Sequence, residues 1–180
     1  MADLAHARSA PLVDENRWLR VLPAACRWVL RGDEAVRAAA EAALGLPVPA
    51  EACRAGTSGE RAALWLGPDE WLLIAPEGQQ GLSDRLARAL EGRAHSLVEV
   101  SHRQVGLLVH GDAATTLLAS GCPLDLAERA FPVGMCTRTV LAKAEVVLWR
   151  TGPGEFRLEV WRSFAPYVTQ FLAESARGTI

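Results

Sequence analysis

The sequence predicts an α+β protein made of two related β-α-β-β-α halves, with antiparallel sheets and helices packed on one face of each sheet. Two internal matches support this prediction. Residues 27–33 recur 79 positions later as residues 106–112, each an apolar strand that ends in Gly-Asp before an Ala-rich helix pattern. Residues 64–71 likewise match residues 148–156. A solenoid needs about three or more repeats, so a duplicated unit that packs on itself is favoured.

The duplication divides the chain into three parts. Residues 1–17 are predicted to form a flexible N-terminal tail, open to ordering by a partner. Residues 18–95 form the first α+β half, and residues 96–180 form the second half, closely packed on the first. A chain of 180 residues, half of them hydrophobic, is long enough to build a core without a disulfide or metal staple.

The first helix of each half has matching start and stop signals. In the first half, Asp33 is predicted to cap the helix, Glu34 favours its positive end, and Gly45 followed by Pro47 ends it. One helix face is apolar through Val36, Ala39, Ala40, Ala43 and Leu44.

The second half repeats this punctuation. Asp112 is the predicted cap, Leu117 and Leu118 are the apolar positions, and Gly121 followed by Pro123 stops the helix.

A hairpin follows in each half. Residues 67–69 and 152–154 place turn-forming residues between two apolar runs. Their first glycines are 85 residues apart rather than 79, so the second copy carries a small insertion. The last strand alternates Phe156, Leu158 and Val160 with Glu155, Arg157 and Glu159, which predicts one buried and one solvent-facing side.

An amphipathic helix closes each half. The first has Ser83 or Asp84 as cap, then Leu86 and Leu90, then Gly92. The second is predicted to have Ser163 as cap and Pro166 in the first turn. Its remaining signals are Val168, Phe171, Leu172 and the terminal Gly178.

Composition argues against several classes of partner. Net charge is −2 with the charges interspersed, so a nucleic-acid-binding stripe is not expected. No apolar run approaches the roughly 20 residues that a membrane span needs. Residues 1–11 lack the apolar core of a secretory signal, which predicts a cytoplasmic location.

The sequence offers little evidence of catalysis. Cys26, Cys53, Cys122 and Cys136 lack ligand-pair spacing, so no metal is expected and the thiols are interpreted as small buried hydrophobes. The glycine-rich residues 55–59 lack the lysine of a phosphate loop, and no dinucleotide fingerprint follows a strand.

Other site types stay open or are disfavoured. Ser101 and His102 are adjacent, and strand alternation would send them to opposite faces. Carboxylate pairs formed through space stay open. Most of the six tryptophans lie in apolar strand contexts, which favours core packing over ligand stacking.

The chain from about residue 18 onward resembles the gamma subunit of heterotetrameric sarcosine oxidase. The motifs that carry the resemblance are residues 67–72, 98–104, 121–126, 131–134, 138–143, 146–149 and 162–167. The matching segments in the second half are long and specific, and the first half matches more loosely.

The resemblance implies a role as a non-catalytic accessory subunit. Complexes of this kind oxidatively demethylate N-methylglycine to glycine, with tetrahydrofolate as one-carbon acceptor and peroxide as product. It implies alpha, beta and small delta subunits as partners, with FAD, FMN, NAD and tetrahydrofolate held by those other subunits and no cofactor in this chain.

The same subunit is distantly similar to the folate-binding aminomethyltransferases of glycine cleavage. Their Asp-x-Ser-His segment corresponds here to residues 99–102, and their acidic pair is shortened here to Ala144-Glu145. Glu145 is therefore the one folate-binding candidate that the similarity implies. It leaves open the alternative of a stand-alone folate-binding protein or one-carbon transferase, and a metabolic enzyme with an unrecognised site also stays open.

Several residues are candidates for a partner interface. Arg162 and Tyr167 have no evident local role in the segment that opens the last helix, and Arg and Tyr concentrate binding energy at interfaces. The alternative is that Arg162 binds a nearby carbonyl or carboxylate and Tyr167 covers the core. The full candidate set is Arg162, Phe164, Tyr167, His102 and Arg138.

Overall fold

A computed structural model describes residues 18–79 and 81–178. The predicted tail at residues 1–17 lies outside the described residues. In the first half the elements are β1 (Leu19–Val21), β2 (Ala25–Gly32), α1 (Glu34–Leu44), β3 (Ala55–Ser58), β4 (Arg61–Gly67), β5 (Glu70–Pro76) and α2 (Gly81–Leu90). In the second half they are β6 (His95–Glu99), β7 (Gln104–His110), α3 (Ala114–Ala119), β8 (Cys136–Leu141), β9 (Ala144–Gly152), β10 (Glu155–Trp161) and α4 (Ala165–Arg177).

The fold is α+β with antiparallel sheets, as predicted, and each half has two strands more than the expected β-α-β-β-α unit. The first sheet has the order β3-β4-β5-β2-β6 and the second has the equivalent order β8-β9-β10-β7-β1. The leading strands are exchanged, because β1 pairs with β7 and β6 pairs with β2. The two halves are therefore interlocked through β1 and β6.

The predicted duplication is confirmed at the level of single hydrogen bonds. The Gly32 amide donates to the Asp69 carbonyl over 3.0 Å, and the Gly111 amide donates to the Gly154 carbonyl over 3.0 Å. Register agrees as well, because β2 and β5 pair Leu30 with Trp71 while β7 and β10 pair Val109 with Phe156. Both hairpins also carry a register shift at the same point.

The helices lie on the outer faces, and the inner faces of the two sheets pack on each other. Each outer face forms its own apolar core with its helices. A third apolar cluster joins the sheets through Ala62, Leu64, Leu72, Ile74, Val100, Cys136 and Val147.

This packing corrects the prediction for the last strand. Phe156, Leu158 and Val160 are buried as expected, but Glu159 is also buried, with 1% of its surface exposed. The second face of β10 meets the other sheet instead of water, and Glu159 is neutralised there by an ion pair with Arg27.

The helix caps are confirmed in part. The Asp33 carboxylate accepts from the Val36 amide over 3.0 Å, and Gly45 takes the left-handed conformation with φ 64°. The predictions of Asp112 and Ser163 as caps were wrong. α3 and α4 begin after Ala113 and Phe164, and neither of these residues makes a side-chain cap bond. Tight turns satisfy backbone amides there, as in the 3.0 Å bond from Ala114 to the Gly111 carbonyl.

The start of α2 differs from the prediction. α2 starts at Gly81, so Ser83 and Asp84 lie within its first turn rather than before it.

The four cysteines match their interpretation as small core residues. All four are free, and three of them are buried, while Cys53 is partly buried. Burial raises the pKa of the Cys136 thiol to about 12, which keeps it protonated and unreactive at neutral pH.

Candidate functional site

Two clefts of about 370 Å³ each open between the sheets, and the duplication relates them. We call them the Trp161 cleft and the Pro76 cleft. Trp161 pairs with Gln104 across β10 and β7, and Pro76 pairs with Ala25 at the equivalent position of β5 and β2. The same backbone positions therefore form both clefts.

A buried ion-pair cluster contributes Glu159 to the Trp161 cleft and Arg157 to the Pro76 cleft. The Arg27 Nε is 2.5 Å from a Glu159 carboxylate oxygen, and both side chains are at most 2% exposed. The Arg157 guanidinium also contacts Glu159 at 2.7 Å, and Arg27 donates to the Ala25 carbonyl over 2.9 Å. A Cβ at Gly106 would lie 3.1 Å from the Arg27 guanidinium, so a residue without a side chain gives this cluster its room. The cluster joins β2 of one half to β10 of the other.

Gln104 is the unusual polar residue of the Trp161 cleft. It is 7% exposed, and its Oε1 has no hydrogen-bond partner among the described residues. Such an acceptor, left unpaired, costs about 1–3 kcal/mol. Gln104 lines both the Trp161 cleft and a neighbouring depression of about 290 Å³.

Arg103 and Trp161 form the rim of the cleft. The Arg103 guanidinium lies 5.2 Å from the centroid of the Trp161 ring, a cation–π contact. The Arg162 amide donates to the Arg103 carbonyl over 2.7 Å, which ties the turn after β6 to the end of β10. Arg103 has no carboxylate partner among the described residues.

Arg138 and Glu145 lie on the opposite wall, on β8 and β9. Arg138 forms a 2.7 Å ion pair with Glu70 and is 3.9 Å from the Glu145 carboxylate. Glu145 is 59% exposed, so solvent reaches the one residue that the similarity to aminomethyltransferases implied. The structure thus brings Arg138 and Glu145 into one cleft.

The remaining interface candidates lie outside this cleft. Arg162, Phe164 and Tyr167 are all exposed around the start of α4. His102 is exposed in the turn between β6 and β7, and it lines the 290 Å³ depression together with Arg162. Tyr167 keeps 37% of its surface exposed, and the Arg162 side chain has no hydrogen-bond partner among the described residues.

Ser101 and His102 do not form a nucleophile–base pair. They lie in the turn after β6 rather than in a strand. The Ser101 hydroxyl donates to Glu99 over 2.9 Å and accepts the Arg27 amide over 2.9 Å. The hydroxyl therefore holds this turn against β2.

Sequence reasoning missed Arg103, Gln104 and Trp161. No local pattern marks a glutamine that becomes buried without a partner, or a tryptophan at a strand end that stays 41% exposed. A comparison of equivalent positions in the two halves could have indicated Gln104 and Trp161. Their equivalents in the first half are Ala25 and Pro76, which differ in chemistry.

Metal and membrane features are not seen in the described part of the chain. Among residues 18–79 and 81–178, no group of three or more His, Cys, Asp or Glu side chains could hold a metal ion. None of the helices there combines the length and apolar character needed to cross a bilayer.

Two solved structures share the fold of this chain. Aminomethyltransferase T of the glycine cleavage system from Bartonella henselae shares its fold, with a TM-score of 0.64 at 15% identity over 88% of this chain and 46% of that chain. Heterotetrameric sarcosine oxidase from Corynebacterium sp. U-96, in complex with pyrrole 2-carboxylate, contains a chain that matches with a TM-score of 0.84. That match has 33% identity and covers 89% of this chain and 83% of the other.

The chain belongs to the sarcosine oxidase gamma subunit family, whose model matches residues 31–177. It is 45% identical over 116 residues to sarcosine oxidase subunit gamma of an Arthrobacter species, and 38% identical over 121 residues to that of Corynebacterium sp. strain P-1. These alignments cover 64% and 67% of this chain, and 57% and 59% of the relatives' lengths.

Proposed function

We propose that the chain is the non-catalytic gamma subunit of a cytoplasmic heterotetrameric sarcosine oxidase. In this proposal the complex demethylates N-methylglycine to glycine, passes the one-carbon unit to tetrahydrofolate and releases peroxide. The main support is the 0.84 TM-score to a chain of a heterotetrameric sarcosine oxidase, at 33% identity. The partners are then the alpha, beta and delta subunits.

The surface at the start of α4 supports a role in assembly. Phe164 is 41% exposed and Tyr167 is 37% exposed, next to the exposed Arg162. Aromatic and arginine side chains are enriched at protein interfaces because each combines a large contact area with a polar tip. We propose that Arg162, Phe164 and Tyr167, with His102 and Arg138, contact the larger subunits.

Co-expression with the larger subunits tests the assembly role. We expect the tagged chain to co-purify with them in fixed stoichiometry, measured by native mass spectrometry, and the complex to oxidise sarcosine. An unrelated small tagged protein in the same host is the control. A complex that forms and turns over equally well without this chain would refute the proposal.

We propose that FAD, FMN, NAD and tetrahydrofolate are bound by the other subunits. The isolated chain should then be colourless after gel filtration, whereas the assembled complex should show flavin absorbance. A flavin spectrum that stays with the isolated chain would overturn this part of the proposal.

A second candidate function is folate binding by the chain itself. The observation in its favour is that Glu145 lines an open cleft and keeps 59% of its side chain exposed. Titration of the isolated chain with tetrahydrofolate tests it, with Glu145→Gln as the variant and Glu60→Gln, in the Pro76 cleft, as the matched control. Binding that Glu145→Gln weakens and Glu60→Gln does not would favour this second function.

A further inference from the structure

Among the described residues, exposed large apolar side chains line one of the two clefts and not the other. Val98 and Trp161 line the Trp161 cleft and are 51% and 41% exposed. Val140, 43% exposed, pairs on β8 with Glu145 of the same cleft. An apolar rim of this kind, around a concave cleft, is typical of a binding surface.

The duplication supplies an internal control for this observation. Val98 pairs with Val29 on β2, and its equivalent Arg20 pairs with Leu108 on β7. The equivalent of Trp161 is Pro76, which also pairs at the end of the hairpin's second strand. The fold therefore tolerates a polar or small residue at these positions, and it does not itself require the exposed Val98 and Trp161.

On the wall of the Trp161 cleft that carries Arg138, Glu70 and Glu145 the charges pair with one another, whereas the polar side chains near Trp161 lack such partners among the described residues. Arg103 and Arg162 are joined by a 2.7 Å backbone hydrogen bond, and neither side chain has a carboxylate partner among the described residues. The buried Gln104 Oε1 has no donor. The Trp161 cleft thus offers Arg103 and the Gln104 acceptor beside an apolar wall, and Arg162 lies in the adjoining depression that Gln104 also lines.

We infer that the Trp161 cleft seats an acidic segment of a partner subunit, which inserts an apolar side chain beside Val98 and Trp161. Carboxylates of that segment face Arg103 and Arg162, and one of its N–H or O–H groups donates to Gln104. The inference rests on the proposed function, since it requires a partner subunit. It adds the site and the chemistry of the contact.

Substitutions in the Trp161 cleft test the inference in the co-expressed complex. Val98→Glu removes the apolar contact, and both Val98→Glu and Arg103→Glu place a carboxylate opposite the partner's own. We expect each to weaken assembly at least about 30-fold, the size of an interface hot-spot effect, measured by dilution and mass photometry. Arg20→Val is the matched control in the Pro76 cleft and should leave assembly unchanged.

Folding and salt dependence complete the test. Val98 and Arg103 are exposed, so the melting temperature of the isolated variants should stay within about 2 °C of the wild type. Wild-type assembly should weaken as salt rises, and the Arg103→Glu complex should lose that dependence.

Three outcomes would count against the inference in distinguishable ways. If the wild-type chain does not assemble at all, the proposed function fails and the inference fails with it. If the wild type assembles and both cleft variants assemble as tightly, only the inference is overturned. If gel filtration shows that the isolated chain dimerises and Val98→Glu abolishes the dimer but not the complex, the occupant is a second copy and the inference is wrong.

Discussion

The Trp161 cleft and the Pro76 cleft are two versions of one backbone arrangement with different side chains. Each lies between the sheets, and each contains a glutamate that begins the second strand of a hairpin. This residue is Glu70 of β5 in the Trp161 cleft and Glu155 of β10 in the Pro76 cleft. Where the Trp161 cleft carries Gln104 and Trp161, the Pro76 cleft carries Ala25 and Pro76. The comparison separates residues that the fold requires from residues that it merely accommodates.

Positions required by the fold stay similar in both halves. Gly32 and Gly111 both make the strand-end bond, and Trp71 and Phe156 are both large and at most 2% exposed. Positions that differ in chemistry, such as Glu159 against Ile74, therefore indicate a role specific to one half. Substitutions between the halves can break or sharpen this distinction.

The largest expected effect is at the central ion pair. Glu159→Ala would leave Arg27 and Arg157 without their shared carboxylate, with Arg27 only 2% exposed. Removing one partner of a buried pair costs about 3–5 kcal/mol, which urea unfolding of the isolated chain would measure. The double variant Arg27→Met with Glu159→Leu should recover most of that loss. A loss below about 1 kcal/mol for Glu159→Ala would mean that the pair behaves as a surface pair.

The next effect concerns Arg150, which occupies the position that Trp65 holds in the first half. Its guanidinium donates to the Leu126 and Phe131 carbonyls over 3.2 and 2.9 Å and also contacts the Pro153 carbonyl. We expect Arg150→Met, which keeps the apolar stem, to destabilise the chain by about 2–3 kcal/mol because it leaves buried carbonyls unpaired.

Trp65→Met is the control for Arg150→Met. The Trp65 indole donates no hydrogen bond within the described residues, so its loss should follow apolar burial alone. If both variants lose unfolding free energy only in proportion to the apolar area that they no longer bury, the Arg150 hydrogen bonds do not contribute to stability.

A smaller effect separates two buried tryptophans. The Trp71 indole donates to the Pro49 carbonyl over 2.7 Å, while the Trp28 indole has no acceptor among the described residues. Trp71→Phe, which copies Phe156, should therefore cost about 1 kcal/mol more than Trp28→Phe. Chemical denaturation of both variants measures the difference, and a larger loss for Trp28→Phe would contradict it.

The smallest effect on stability is expected at Arg162, whose equivalent in the first half is Glu77. Arg162 is exposed, so Arg162→Ala should change the free energy of unfolding by no more than about 0.5 kcal/mol. Binding to the larger subunits should nevertheless weaken by about 2 kcal/mol or more of binding free energy. Less of the variant should therefore co-purify with them. A variant that melts much earlier and still assembles would make Arg162 a residue of the fold.

Local sequence signals were sufficient for much of the fold. The Gly-Pro turns, the Asp33 cap and the 79- and 85-residue offsets lie within short segments, and the structure confirms them. Backbone turns took over the predicted roles of Asp112 and Ser163, because tight turns at α3 and α4 already satisfy the amides.

The sequence by itself determined the α+β class, the duplication and the family resemblance, because periodicity, turn chemistry and motif runs act over a few residues. The tertiary structure decided the exchange of β1 and β6, the burial of Glu159 and the isolation of Gln104. These depend on which surfaces meet, as in the Arg27–Glu159 contact between residues 132 positions apart. Alternation in a strand defines two faces, but only the packing of the second sheet decides whether the polar face meets water or a buried arginine.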